Sequence, residues 1–267
     1  MTNGNGKVAK RQRQKEMRRA KIEQEIKARQ AQRQKRMLIN LTILALIVGG
    51  VTYYFTNNNK APSKPAKAAP KAGECGHDKP KGGNTKTPDA PPAMTIDKAK
   101  TYTAVFSTSC GAIEVELAAA ASPNVVNSFV FLAKQGFYNG LPFHRIVKDF
   151  AIQGGDPKGD GTGGPSYKVA DAPPADIKYT KGIVAMAKGG AEPPGTSGSQ
   201  FFFVPADTAA QKLTPDYALL GKITKGDAAL AKFNNVKTID NGTGEKSSPD
   251  KPVYIVKVTI NEGPGKA

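Results

Sequence analysis

Phe143-His144-Arg145-Ile146-Val147-Lys148-Asp149-Phe150-Ala151-Ile152-Gln153-Gly154-Gly155-Asp156 and, further on, Gly195-Thr196-Ser197-Gly198-Ser199-Gln200-Phe201-Phe202-Phe203 are the stretches on which the reading of this chain turns. Taken residue by residue, each admits a plain structural account. Phe202 and Phe203 alternate along an extended run, so one of them faces a core. Arg145 could do no more than pair with an acidic neighbour.

The surroundings decide more. Residues 103–107 (TAVFS) and 112–117 (AIEVEL) read as two strands around a turn at Ser109-Cys110-Gly111, with Ile113, Val115 and Leu117 on one face. Residues 182–187, 200–204, 218–223 and 253–260 are further short, β-branched and aromatic runs bounded by Gly, Pro and Asp. Ser122 and Pro123 supply an N-cap and an N1 proline, and Val125, Val126, Phe129, Leu132 and Ala133 recur at helical spacing until Gly136. A second helical segment falls near residues 227–234. Many short strands with two helices predict a mainly β fold, an antiparallel barrel or sandwich rather than a βαβ fold. In that setting Gly159-Asp160-Gly161-Thr162-Gly163-Gly164 is turn or binding-surface backbone. No Lys-Ser/Thr pair follows it, and it opens no apolar-periodic helix, so it is not a phosphate cradle.

The formal charge of +17 invites a nucleic-acid partner until it is divided along the chain. Residues 1–36 hold 13 Lys/Arg against 3 Asp/Glu, residues 37–55 hold no charge, residues 56–100 hold 9 against 4, and the rest of the chain carries a balance of +2. The folded part has no basic excess to track phosphates, so no nucleic acid is expected there. The basic tail lacks the aromatic interleaving of an RNA-binding arm and is polar on every face, which suits contact with anionic headgroups. Two cysteines, Cys75 and Cys110, are too few for a disulfide scaffold, have no CxxC spacing, and could form one bridge in an oxidising compartment. Glu74-Cys75-Gly76-His77 offers too few ligands for a closed metal shell. No metal and no cofactor are expected.

Residues 37–55, MLINLTILALIVGGVTYYF, are 19 uncharged residues, enough for about 30 Å of hydrocarbon at 1.5 Å per residue, and end on an aromatic group suited to the interface. A cleavable signal peptide competes, but the first small-x-small pattern, Ala66-Lys67-Ala68, lies well past the apolar run. The chain therefore divides into a basic cytoplasmic tail (1–36), a single transmembrane helix (37–55) contacting lipid, and a disordered Pro/Lys/Ala/Gly-rich linker (56–100). A folded domain (101–262) and a short C-terminal tail (263–267) follow. The positive-inside rule places the N-terminus in the cytoplasm and the folded domain on the other side of the cell membrane.

The patterns FHRI, F-x-x-QGGD, GTGG and SQFF, with L-x-x-x-Y ahead of a glycine-terminated strand, occur in this order. Together they resemble the cyclophilin family of peptidyl-prolyl cis/trans isomerases, in its bacterial, membrane-anchored form. The resemblance implies a closed eight-stranded antiparallel β-barrel capped by two α-helices and working without cofactor; the sequence does not give the oligomeric state, and a monomer is the expectation. A shallow apolar groove on its outside would receive proline-containing polypeptide segments, here in the folding of extracytoplasmic proteins. Arg145 matches the family's catalytic arginine and Gln153 the glutamine that engages the substrate backbone. Phe150, Phe202 and Leu213 match the floor and walls around the proline ring, and Gln200, Gly161 and Ala187 match further groove positions. Ala151 stands where the family often has methionine, Tyr217 at the position matching a histidine, and Lys212 where many eukaryotic members have tryptophan. Residues 186–200 form a longer loop than the family pattern, which alters the surroundings of the proline. His144 matches a supporting position, since the chemistry needs no general base. Two other readings stand beside this one: a module that binds proline segments with little turnover, and a chain whose working part is its basic tail.

Overall fold

The computed structural model describes residues 74–265. The basic tail, the expected membrane helix at 37–55 and the linker as far as residue 73 lie outside the described residues. Among the described residues no helix is long and apolar enough to cross a membrane.

The period-two pattern of the sequence builds the sheet. The strands are β1 (Lys100–Thr108), β2 (Gly111–Leu117), β3 (Phe143–Val147), β4 (Ala151–Gly154), β6 (Ile183–Met186), β8 (Phe201–Phe203), β9 (Leu219–Lys225) and β12 (Ile255–Gly265). They form one eight-stranded sheet in the order β12-β1-β2-β9-β6-β8-β4-β3, antiparallel throughout. Two small pairs stand apart from it, β5 (Val169–Ala170) with β7 (Thr196–Ser197) and β10 (Thr238–Asp240) with β11 (Lys246–Pro249). One face of the large sheet buries Phe106, Ile113, Val115, Ile146, Ile152, Val184, Phe201 and Phe203 in the main core. Helix α1 (Pro123–Lys134) adds Val125, Val126, Phe129 and Leu132 to that core and packs against β12. Helix α2 (Asp227–Asn234) adds Leu230 and Phe233, whose ring lies 4.5 Å from that of Phe143.

Three expectations change. The barrel is not closed: β12 and β3 are the two edges of a half-barrel. Among the described residues they meet through an isolated bridge at Pro142 and Tyr254, with Phe143 N donating to Val253 O (2.9 Å) and Ile255 N to Leu141 O (2.8 Å). Beyond this bridge the β10–β11 hairpin packs against β3. Residues 74–99, expected as spacer, have almost no regular structure yet are tied to the domain. Cys75 and Cys110 form a disulfide, Gly83 N donates to Asn139 O (2.9 Å), and Asn127 of α1 binds the strap with its side chain. Its Oδ1 accepts from Thr95 N (2.9 Å) and Ile96 N (3.3 Å), and its Nδ2 donates to Ala93 O (2.9 Å). A buried amide needs such partners, and irregular backbone supplies them. At the other end, β12 continues through residues 263–265, which were expected as tail.

Candidate active site

The outer face of the sheet carries one cross-strand row. Register pairs Arg145 of β3 with Gln153 of β4, Gln153 with Phe202 of β8, and Phe202 with Ala185 of β6. Strand alternation sends Phe201 and Phe203 into the main core and Phe202 into a second apolar cluster on the opposite side. That cluster buries Ala151, Tyr179, Ala185, Phe202, Val204 and Ala209, with Phe150, Ala187, Leu213 and Tyr217 partly exposed at its rim.

Local structure explains how the rim residues arrive. Phe150 follows a tight turn closed by Phe150 N donating to Val147 O (3.0 Å). Asp149 occupies that turn with φ of 57°, a left-handed conformation that aspartate tolerates, and Asn234 Oδ1 accepts from its backbone N (2.8 Å). A 3-10 turn, Asp207–Gln211, delivers Leu213, whose N donates to Ala209 O (3.1 Å). Tyr217 meets the Phe202 ring edge-on at 5.4 Å. Tyr179 fixes Tyr217 by its backbone: the phenol donates to Tyr217 O (2.6 Å) and accepts from Tyr217 N (3.0 Å). Burial pushes the Tyr179 hydroxyl up to about 12, so it stays a neutral donor.

Beside this basin lies a polar wall. Gln153 Nε2 donates to Gln200 Oε1 (2.9 Å), and Gln200 Nε2 donates to Gly161 O (3.0 Å) and Gly163 O (2.8 Å). The glycine loop is held from beneath by fully buried Asp156, which accepts from Lys158 N (2.7 Å) and Gly161 N (2.6 Å). Gly155 is needed beside it: its φ is 85°, and a Cβ there would stand 2.5 Å from Ser199 O. Gln153, Gly161, Ala187, Lys188 and Gln200 line a hollow of about 190 Å³ next to the basin. Larger hollows, about 750 Å³ beside His77 and Lys232 and about 500 Å³ along residues 118–121, are lined by none of the residues of this row.

Arg145 closes the polar end of the row. Its guanidinium carbon stands 5.9 Å from the centre of the Phe150 ring, and Lys212 Nζ lies at the same distance from that ring. Arg145 also has an acidic partner: Nε donates to Glu245 Oε2 (2.8 Å) and Nη2 to Glu245 Oε1 (2.6 Å). These bonds hold the Glu245 carboxyl below its ordinary range. His144 is outside the cluster. Both ring nitrogens are buried without a hydrogen-bond partner, and burial lowers its pKa, which favours the neutral ring.

The structure thus gathers the expected residues on one face. Phe150, Ala151, Ala187, Phe202, Leu213 and Tyr217 share the apolar cluster, Gln153, Gln200 and Gly161 the polar wall, and Arg145 links the two. Sequence reasoning missed Tyr179, Ala185 and Glu245. Tyr179 and Glu245 sit in irregular segments, where no periodicity marks a partner across the fold.

The outer face of the antiparallel half-barrel thus carries an open apolar basin with a row of fixed donors along one side. The chain belongs to the cyclophilin-type peptidyl-prolyl cis-trans isomerase family: the model of that family, described as cyclophilin type peptidyl-prolyl cis-trans isomerase/CLD, matches residues 103–260. The activity that goes with this membership is peptidyl-prolyl cis-trans isomerisation. The chain is 42% identical over 157 residues to peptidyl-prolyl cis-trans isomerase-like 1 of Mus musculus, covering 57% of this chain and 87% of that protein. It is 39% identical over 143 residues to a peptidyl-prolyl cis-trans isomerase of Helicobacter pylori strain J99, covering 53% and 85%. Among solved structures it is similar to a cyclophilin-type isomerase of Cryptosporidium parvum in the presence of the dipeptide Ala-Pro, at 29% identity and a TM-score of 0.54, covering 60% of this chain and 99% of that one. These likenesses fix the family; they do not reach the bacterial, membrane-anchored subtype expected from the sequence.

Proposed function

We propose that this chain isomerises X-Pro bonds in proline-containing segments of polypeptides outside the cytoplasm, with Arg145 favouring the twisted amide. Rotation breaks amide resonance, which sets a barrier of about 18–20 kcal/mol and an uncatalysed time of tens to hundreds of seconds. No covalent bond has to be made or broken. As the amide twists, the lone pair localises on the prolyl nitrogen, and a donor aimed there favours the transition state over both planar forms. Arginine stays protonated and presents five N–H donors in a rigid fork. The proline ring would rest on Phe202 between Phe150, Leu213 and Tyr217, while the other side of the amide turns. Gln153, steadied by Gln200, keeps its carbonyl oxygen and one N–H for the substrate backbone.

The observation that carries this reading is the Arg145–Gln153–Phe202 row, which sets a fixed cation and an amide beside an apolar floor. The Ala-Pro dipeptide in the related Cryptosporidium structure supports proline-containing segments as substrate. Exchange spectroscopy on an Ala-Pro peptide with and without the chain tests it: accelerated exchange is expected, whereas binding with unaccelerated exchange would favour the proline-binding module.

We further propose that residues 37–55 anchor the chain in the cell membrane, with the basic residues 1–36 in the cytoplasm and the isomerase domain outside. The Cys75–Cys110 disulfide supports this location, because such bonds persist in oxidising compartments. Protease added to intact cells should remove the isomerase domain and spare the tail; full protection of the domain would overturn this topology.

A further inference from the structure

Glu245 belongs to none of the patterns that mark the family in this sequence, yet it makes the shortest contacts of the Arg145 guanidinium. It comes from the turn between β10 and β11, about a hundred residues along the chain from Arg145. Backbone and side chains organise that turn around it. Asn241 N donates to Glu245 O (3.0 Å), and Asp240 Oδ1 accepts from Gly242 N (2.6 Å) and Gly244 N (3.2 Å). Below the turn, Ile239 pairs with Ser248 in the hairpin, which packs against β3, the strand that carries Arg145. The carboxylate is thus presented from a braced element rather than from a free loop.

Its two oxygens occupy one edge of the fork, Nε–H and one Nη2–H, in a side-on bidentate pair with the two side chains 29% and 39% exposed. Of five N–H donors, that leaves both on Nη1 and one on Nη2. An unpartnered arginine side chain would spread over many rotamers, so fixing its plane in advance removes an ordering cost from the substrate-bound state. We propose that Glu245 is a positioning residue for prolyl isomerisation, holding the Nε edge of Arg145 so that the Nη1 edge is turned to the prolyl nitrogen. This rests on the reading of Arg145 as the donor. An opposite role is chemically available to the same pair: a carboxylate that competes with substrate for the guanidinium and slows the enzyme.

A double-mutant cycle on the chain separates these cases, with kcat and KM resolved on one Ala-Pro peptide for Arg145→Ala, Glu245→Ala, Glu245→Gln, Glu245→Asp and the Arg145→Ala/Glu245→Ala pair. Thermal midpoints of each variant check that the fold is kept. Glu245→Ala should lose on the order of tenfold to a hundredfold in kcat with a smaller change in KM. Glu245→Gln, which keeps one acceptor, should lose less, and Glu245→Asp should recover part of the rate. In the Arg145→Ala background, removing Glu245 should change the rate by less than about twofold, because nothing is left to position. Full activity of Arg145→Ala would defeat the reading of Arg145 itself. A loss in Arg145→Ala with unchanged Glu245→Ala, an effect of Glu245→Ala that persists without Arg145, or a faster Glu245→Ala enzyme would each overturn the positioning role while leaving Arg145 in place.

Discussion

Removing the Cys75–Cys110 disulfide should lower the stability of the domain by about 4 kcal/mol and leave its activity intact. The bond closes a loop across a sequence separation of 35, and the chain-entropy relation for a loop of that length gives about 4 kcal/mol at 25 °C, acting through the unfolded state. At roughly 2–4 °C per kcal/mol for a domain of this size, the thermal midpoint should fall by about 8–15 °C. Both cysteines belong to the main core cluster, whereas the basin proposed for proline is built on the separate outer cluster, so kcat/KM at 25 °C should change by less than about twofold. The comparison is thermal unfolding by circular dichroism of the oxidised chain, the chain in a thiol-free reductant, and the Cys75→Ala/Cys110→Ala variant. The strap would keep its bonds to Asn127 and Asn139, which add to the folded state in all three samples. Midpoints within about 2 °C of one another would refute the reasoning, as would a loss of activity that tracks reduction.

Two further outcomes follow from buried polar groups. Tyr179→Phe removes the hydroxyl that bonds both backbone groups of Tyr217, so unfolding free energy should fall by about 1–3 kcal/mol and KM should rise more than kcat falls, read by denaturant unfolding and steady-state kinetics; an unchanged KM would show that Tyr179 does not shape the basin. His144 is held below its ordinary value of 6.5 by burial, with Arg145 adding to the effect while Asp156 and Asp160 oppose it. The unfolded state then binds more protons, so stability should be complete above about pH 6.5 and decline as pH falls towards the lowered folded value. Thermal midpoints between pH 8 and 5.5 should show this slope, and His144→Leu should flatten it; an equal slope in the variant would assign the protons elsewhere.

Arg145, Ala151, Gln153 and Phe202 were legible on strands whose partners are fixed by period and register, whereas Phe150, Gly161, Ala187, Gln200, Leu213 and Tyr217, which lie in turns and loops, were legible through the family's motifs. Once Phe201 and Phe203 face the core, Phe202 must face outward, and the FHRI and QGGD patterns then fall into adjoining strands as Arg145 and Gln153. Ala185 of β6 escaped because a small apolar residue carries no marking pattern, and the rest of what escaped comes from the partnership of irregular segments distant in sequence. The strap at 74–99 reads as spacer by composition, and a single amide on Asn127 holds its backbone to α1. The half-barrel differs from a closed one because, among the described residues, its edges meet through a single bridge at Pro142 and Tyr254 while β11 packs against β3, a choice of partner that nothing local marks. Arg145 pairs with Glu245 besides facing the basin, and nothing local in the sequence marks Glu245 as that partner.

The central claim is that a fixed guanidinium beside an apolar basin speeds the X-Pro rotation. Exchange rates of an Ala-Pro peptide, measured by exchange spectroscopy at equal loading of the chain and of its Arg145→Ala variant, test it most directly. The account predicts a loss on the order of a hundredfold in the catalysed rate with peptide still bound; equal rates in the two proteins would contradict it.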